Sequence, residues 1–291
     1  MNDAHCHFFS SRFLELLAPG GGGADAIAAR LQWDAPGDAA RLADRWVAEL
    51  DRHGVSRAAL IASIPGDAES VAEAVGRHPA RFVGFFMHNP VAPGAEEVLA
   101  RALTEWRLRT VCLFPAMHGY RLDDAVVDGV FGAAGAHGAA VFVHCGVLTV
   151  GVRKKLGLPS RFDLRLGDPL ALARTALGHP GVPVIVPHFG AGYFREALMA
   201  ADQCPTIHLD TSSSNGWIRF HPGLTLEQVF RQALAVAGPT RLLFGTDSSF
   251  FPRGWQRPIY EEQDRLCRAI GLPDADRTAI FEDNFNRLFP V

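Results

Sequence analysis

The chain opens on "NDAHCHFF". In a strand, successive side chains point to opposite faces, so His5 and His7 share one face; Asp3 falls on that face too, and Ala4 and Cys6 point away. Two imidazoles a few ångströms apart can bind one metal ion. By itself the pair reads equally well as a chance occurrence or a tag remnant, so its meaning depends on what stands beside it. Four residues of related chemistry each close an apolar run: His88 in "FFMHNP", His144 in "VFVHCG", His188 in "VIVPHFG" and Asp247 in "LLFGTD".

The elements that must position these residues follow a rhythm. "DRHGVSRAALIAS", "GRHPARFVGFFM", "GAHGAAVFVHCG" and "LGHPGVPVIVPHFG" each pass from a helix end through His-Gly or His-Pro into an apolar run. That is a helix C-terminus, a turn and a strand covered on both faces. With the opening segment, "LRTVCLFPA", "CPTIHLDTSS" and "AGPTRLLFGTDSS", strands are expected near 2–7, 58–63, 82–88, 109–114, 140–145, 183–188, 205–210 and 241–247. Amphipathic stretches such as "DAARLADRWVAELDRHG" fill the gaps. Parallel strands alternating with helices predict an α/β fold, a (β/α)8 TIM barrel, as one domain over 1–291. Gly20–Gly23 and Gly146–Asp168 read as loop insertions.

This frame sorts the twelve histidines. His53, His78, His137 and His179 precede strands, where a histidine can meet the last carbonyls and the negative end of a helix. His118 and His221 fall in loops, and His208 sits within the seventh strand as a core histidine. His5, His7, His144, His188 and Asp247 stand at C-terminal strand ends, the rim at which barrels keep their active sites. His88 ends the third strand and reads as a pocket wall or supporting group. In the sixth strand Val184, Val186 and His188 share a face; in the eighth, Leu243, Gly245 and Asp247 do. A shared metal site at one rim accounts for this clustering.

Composition narrows the function classes. With 48% hydrophobic and 20% charged residues the chain has ample core material, and a net charge of −3 leaves no footprint for nucleic acid or an anionic membrane. Five scattered cysteines without a C-x-x-C pattern suit a reducing compartment rather than a disulfide framework. Gly129–Val152 carries no Asp, Glu, Lys or Arg and is long enough to span a bilayer, but its glycines, His137 and His144 mark it as helix end, strand and loop. A cytoplasmic protein with no membrane partner is expected.

"DAHCH", "FVHCG", "PHFGAGYFREAL", "LLFGTDSSF" and the closing "NFNRLF" resemble, in order, the motifs of the amidohydrolase superfamily, in particular its amidohydrolase-related (type 2) branch. The resemblance implies a barrel with one divalent metal ion at its mouth, zinc or another divalent ion such as manganese. It matches His5, His7, His144 and Asp247 to metal ligands, and His188 to a group that either binds the metal or hydrogen-bonds the attacking water and substrate. The fourth strand, "TVCLFPA", lacks the Lys or Glu that bridges two metals in binuclear members, which favours a single ion, with Cys112 an apolar filler. That strand and Gly245 also separate the chain from the TatD-like nucleases.

Such a site supplies an activated water, with Asp247 to accept its proton and His188 to polarise the carbonyl or hold the oxyanion. Hydrolysis of an amide, ester or lactone is expected. Non-oxidative decarboxylation of a cyclic or aromatic acid is the alternative; metal-independent lactonase chemistry and a non-catalytic binding barrel come after it. Arg153, Lys154, Arg195 and Arg253 are candidates to hold a carboxylated small-molecule substrate, although the stretch from Arg153 to Arg165 reads equally as a solvated basic loop. Phe8, Phe114, Phe189, Tyr193, Phe250 and Trp255 are candidate pocket aromatics. Assembly as a homodimer is a further expectation.

Overall fold

In the computed structural model, which describes residues 1–213 and 215–291, each expected apolar run forms a strand. These are β1 (Asn2–His7), β2 (Arg57–Ala62), β3 (Phe82–His88), β4 (Thr110–Leu113), β5 (Ala140–Val143), β6 (Val184–Val186), β7 (Ile207–Asp210) and β8 (Leu242–Leu243). All neighbours pair in parallel, in chain order. The ends of the series close on each other: Ala4 N donates to Phe244 O (2.8 Å), Asp247 N to His5 O (2.9 Å) and His7 N to Ser248 O (2.7 Å). The result is a (β/α)8 TIM barrel. Among the described residues no helix is long and apolar enough to cross a membrane.

Both strand faces are buried, as unbroken apolar runs require. Ala59, Ile61, Phe85, Phe142 and Leu243 fill the barrel interior, whereas Leu60, Val111, Val143 and Leu209 pack outward on the helices. The helix Asn284–Leu288, formed from the closing motif, belongs to the end opposite the mouth. Its Asn284 donates to Leu242 O (2.7 Å), and Phe285 and Phe289 join the interior core. At the mouth, two helices inserted between β1 and β2 (Ser11–Leu17 and Ala24–Leu31) pack against the segment after β5 to form a separate apolar cluster. The Gly20–Gly23 run turns between them.

Two expectations of side-chain phase fail for identifiable reasons. The register of β1 on β2 shifts between Asp3 and Cys6, a bulge that adds one residue to β1. Ala4 therefore faces the interior core, and Asp3 bonds to Trp255 of the outer core instead of sharing the face of His5 and His7. In β6, Val184 and Val186 face the helices and Ile185 the interior. His188 reaches the mouth because β6 ends at Val186 and the backbone turns left-handed at His188 and Phe189 (φ 53° at both). β8 is shorter than expected. After Leu243 the chain leaves the ladder, and at Gly245 a Cβ would lie 2.8 Å from that of His5.

His53, His78, His137 and His179 each cap a helix C-terminus. Three of them pair with carboxylates rather than carbonyls: His78 with Asp44 (2.7 Å), His179 with Asp128 (2.7 Å) and His53 with Glu49 (3.3 Å). His208 points into the barrel floor, bonded to Thr206 O at 2.9 Å. His88 lies on the outward face of β3 with Phe86, so it is no wall of the pocket.

Burial holds the pKa of His88, His118 and His208 down at about 4 each, with His118 adding to the effect on His88. A base with a depressed folded pKa stabilises the fold above its unfolded value, about 6.5, and that contribution is lost as pH falls toward 4. Asp67, raised to about 6 by burial, and Asp3, also raised by burial, act in the opposite sense over part of that window, while the lowered His53 and His144 reinforce the three. Stability in urea titrations is therefore expected to fall between pH 6.5 and 4, each histidine contributing up to about 1.4 kcal/mol per pH unit. His88→Gln should remove one proton from that slope; an unchanged slope would clear His88 of any part in it.

Candidate metal centre

The bulge in β1 brings His5 and His7 to the mouth, and the end of β8 brings Asp247. Asp247 lies in the left-handed region (φ 59°), with its amide fixed on His5 O. Its Oδ1 is 2.9 Å from His7 Nε2 and 3.8 Å from His5 Nε2. One donor atom from each of the three residues falls within 4.8 Å of the others.

The opposite ring nitrogens are occupied. Ser63 donates its proton to Ile61 O (3.0 Å), so its oxygen accepts from His7 Nδ1–H at 2.6 Å. That bond anchors the ring through Nδ1 and turns Nε2 toward Asp247. His5 Nδ1 lies 2.6 Å from Asp210 Oδ2 and donates to it in the same way. Burial lowers the pKa of His7. Burial also opposes a charge on His5, but the Asp210 carboxylate outweighs it and raises that pKa on balance. Burial works against the charge on Asp247 too, yet the His7 contact and the imidazoles around it hold the carboxyl well below its usual range. A proton shared between His7 Nε2 and Asp247 Oδ1 accounts for that depression, and a divalent cation taking its place would meet two nitrogen lone pairs and an ionised oxygen. This donor set fits a divalent ion.

His188 and His144 stand beside this group and not within it. The His188 ring lies 5.0 Å from that of His5, with Nδ1 2.8 Å from Ser212 Oγ and 3.4 Å from Ser212 O. A carbonyl only accepts, which favours the Nδ1–H tautomer. His144 stacks on Phe114 (5.3 Å) and lies 5.5 Å from His188. Its Nδ1 is buried without a hydrogen-bond partner, and burial with His188 nearby drives its pKa well down. Cys112 is enclosed in the apolar interior below.

The centre forms the floor of a cavity of about 600 Å³. One wall is a run of stacked rings: Phe13 on Phe9 (4.2 Å), Phe9 on Trp33 (5.5 Å) and Trp33 on Phe250 (4.3 Å). Arg253 covers the Phe250 ring at 4.6 Å and donates to Asp247 O (3.1 Å) and Ser249 Oγ (2.6 Å). Of the four cationic candidates, Arg253 lines the cavity; Lys155 and Arg219 line it as well. Arg153 and Lys154 do not, because the short helix Gly151–Lys155 turns them away, with Arg153 bonded to Pro159 O (2.6 Å). Arg195 pairs with Glu196 at 2.6 Å, outside the cavity. Phe114 and Phe250 line the cavity, and Phe8, Phe189 and Trp255 belong to the outer core.

No local pattern in the sequence singles out Ser63, Asp210 or Ser212, which set the imidazoles, as a group, or Phe9, Phe13 and Trp33, which form the wall. Asp210 had a legible signal, since it ends the seventh strand two residues after His208 and so shares its inward face. Phe13 and Trp33 belong to inserted segments whose place over the mouth has no local signature.

A family model described as amidohydrolase matches residues 3–291. Among solved structures, the chain is similar to a zinc-bound amidohydrolase from Burkholderia multivorans (17% identity, TM-score 0.66, covering 99% of this chain and 98% of that one). It is also similar to 5-carboxyvanillate decarboxylase LigW from Sphingomonas paucimobilis (17%, TM-score 0.64, 100% and 99%). A third likeness is to a protein from Acinetobacter baumannii described as probable 2-pyrone-4,6-dicarboxylic acid hydrolase (15%, TM-score 0.63, 100% and 99%). At these identities the likeness is one of fold. The search of curated proteins gave no match.

A group that orients a ligating imidazole is worth about 10–100-fold in metal affinity. Asp210→Asn is therefore expected to raise the zinc Kd by that factor in calorimetric titration, with a native circular dichroism spectrum. An unchanged Kd would separate Asp210 from the centre.

Proposed function

Since the chain belongs to the amidohydrolase family, we propose that it is a metal-dependent hydrolase of a small, carboxylated amide, ester or lactone. The observation that carries this reading is the convergence of His5 Nε2, His7 Nε2 and Asp247 Oδ1, with their opposite nitrogens already engaged. One divalent ion is the proposed cofactor, zinc by analogy with the Burkholderia neighbour. His5, His7 and Asp247 would hold it, and His144 and His188 are close enough at hand to complete its surroundings.

A divalent ion bound there supplies a water of lowered pKa and a Lewis acid for the substrate carbonyl. The chain's own residues do the rest. Asp247, ionised beside His7, accepts the proton of the attacking water and returns it to the leaving group. His188, held through Nδ1 by Ser212, keeps Nε2 as its acceptor nitrogen and orients water or substrate. Arg253 is pre-set by its stack on Phe250 and by its bonds to Asp247 O and Ser249, and offers its remaining N–H groups to a substrate carboxylate. The ring wall from Phe13 to Phe250 excludes water and accepts a flat substrate.

A flat wall opposite an arginine would also seat a carboxylated ring for non-oxidative decarboxylation, as in the reaction named for the Sphingomonas neighbour. Product analysis separates the two. Lactones, amides and aromatic acids are to be offered to the zinc- or manganese-loaded protein, with release of acid and of CO2 followed in parallel. Hydrolysis is expected, with kcat/KM lowered about 100-fold or more in Asp247→Asn. In Arg253→Ala, KM should rise about tenfold, the cost of one charge-assisted contact. CO2 release without hydrolysis would replace the first reading with the second.

A further inference from the structure

Asp3 is fully buried beneath the mouth and lies outside the donor set. Its Oδ1 accepts from the backbone amides of His5 (2.9 Å) and Thr246 (3.1 Å), and its Oδ2 from Thr246 Oγ1 (2.5 Å) and Trp255 Nε1 (2.7 Å). These donors come from β1, from the end of β8 and from the segment after it. The two amides share a circumstance. His5 sits in the bulge, where one residue has no counterpart on the neighbouring strand, and Thr246 sits where β8 has left its ladder. A buried amide without a partner is costly, and the Asp3 carboxylate takes the place of the missing ladder carbonyls.

The network extends to both sides of Asp247. Thr246 Oγ1 lies 2.6 Å from Ser248 Oγ, which accepts from Gln256 N at 2.9 Å. The Gln256 side chain donates to the carbonyls of Thr246 (3.0 Å) and Asp247 (3.3 Å). The left-handed turn at Asp247 is thereby tied on its strand side to the residue that caps the bulge aiming His5. We propose that Asp3 is a positioning residue: it joins the β1 bulge to the β8 turn and so sets the separation between the His5 imidazole and the Asp247 carboxylate. This role rests on the metal-centre reading for its consequence, and its geometry is testable apart from that reading.

Asp3→Asn keeps the shape but sets an amide donor against the Trp255 N–H and the Thr246 hydroxyl. Two readouts are taken on folded protein: the zinc Kd by calorimetry, and amide hydrogen exchange at His5 and Thr246 relative to amides of β3 and β4. The expected result is a Kd raised about tenfold or more and exchange quickened selectively at the β1–β8 seam. Asp3→Asn combined with Trp255→Phe removes the facing donor and should recover part of the affinity. If Asp3→Asn does not fold, Thr246→Val, which deletes one of the four donors to Asp3 along with the contacts to Ser248, is read the same way. A lower melting temperature with zinc affinity and seam exchange both unchanged would overturn the proposal. Selective exchange in the variant of a protein that binds no zinc or manganese even as wild type would uphold the positioning role and sink the metal-centre reading.

Discussion

The mouth of this barrel depends on the seam where β8 closes onto β1. Three backbone hydrogen bonds make that closure, and two of them involve the residues of the candidate centre itself, Asp247 N to His5 O and His7 N to Ser248 O. Closure of the sheet and assembly of the centre are thus one event. The imidazoles approach Asp247 because the strands carrying them are neighbours around the barrel, although 240 residues of chain separate His7 from Asp247. A (β/α)8 topology brings first and last strands together without any contact between the segments in sequence.

The seam is not a regular ladder, and its irregularity is what makes the site. A regular β1 would alternate Asp3, His5 and His7 on one face. The bulge rotates Asp3 outward to Trp255 and keeps both imidazoles at the mouth. A regular β8 would leave Asp247 in line with the strand; the left-handed turn swings its carboxylate to within 2.9 Å of His7. Gly245 permits this because a side chain there would meet His5, Asp210 and Ser212. Such departures from regular geometry persist where surrounding bonds over-determine them, and here those bonds come from buried side chains as well as from the backbone pairs of the seam.

How much of this was legible in the sequence follows from the range of each signal. Strand positions and the rim histidines were readable because helix ends, turns and apolar runs are local patterns. The four histidines before strands were readable as helix caps for the same reason, but the carboxylate partners of His78 and His179 sit on other helices and were not. The alternation expected for β1 and β6 fails because a bulge and an early strand end break the count. Basic residues after β5 were visible as a group, but which of them turns toward the cavity depends on the short helix Gly151–Lys155. Lys155 was therefore indistinguishable from Arg153 and Lys154 in sequence.

The chemistry reads more firmly from lone pairs than from residue types. A histidine near a carboxylate is ordinarily an ion pair, with one proton shared between them. At His7 the proton shared with Asp247 is weakly held, since Ser63 faces the other ring nitrogen and burial opposes a charge on the ring. A divalent cation that displaces that proton would meet His7 Nε2, the ionised Asp247 and the facing nitrogen of His5, whose other nitrogen is committed to Asp210. Three electron-pair donors held this close by independent partners repel one another unless a cation stands among them. The partners matter as much as the ligands. Without Ser63 and Asp210 each ring could turn over or take up a proton, and the same three residues would be a hydrogen-bonded cluster with no particular affinity for metal.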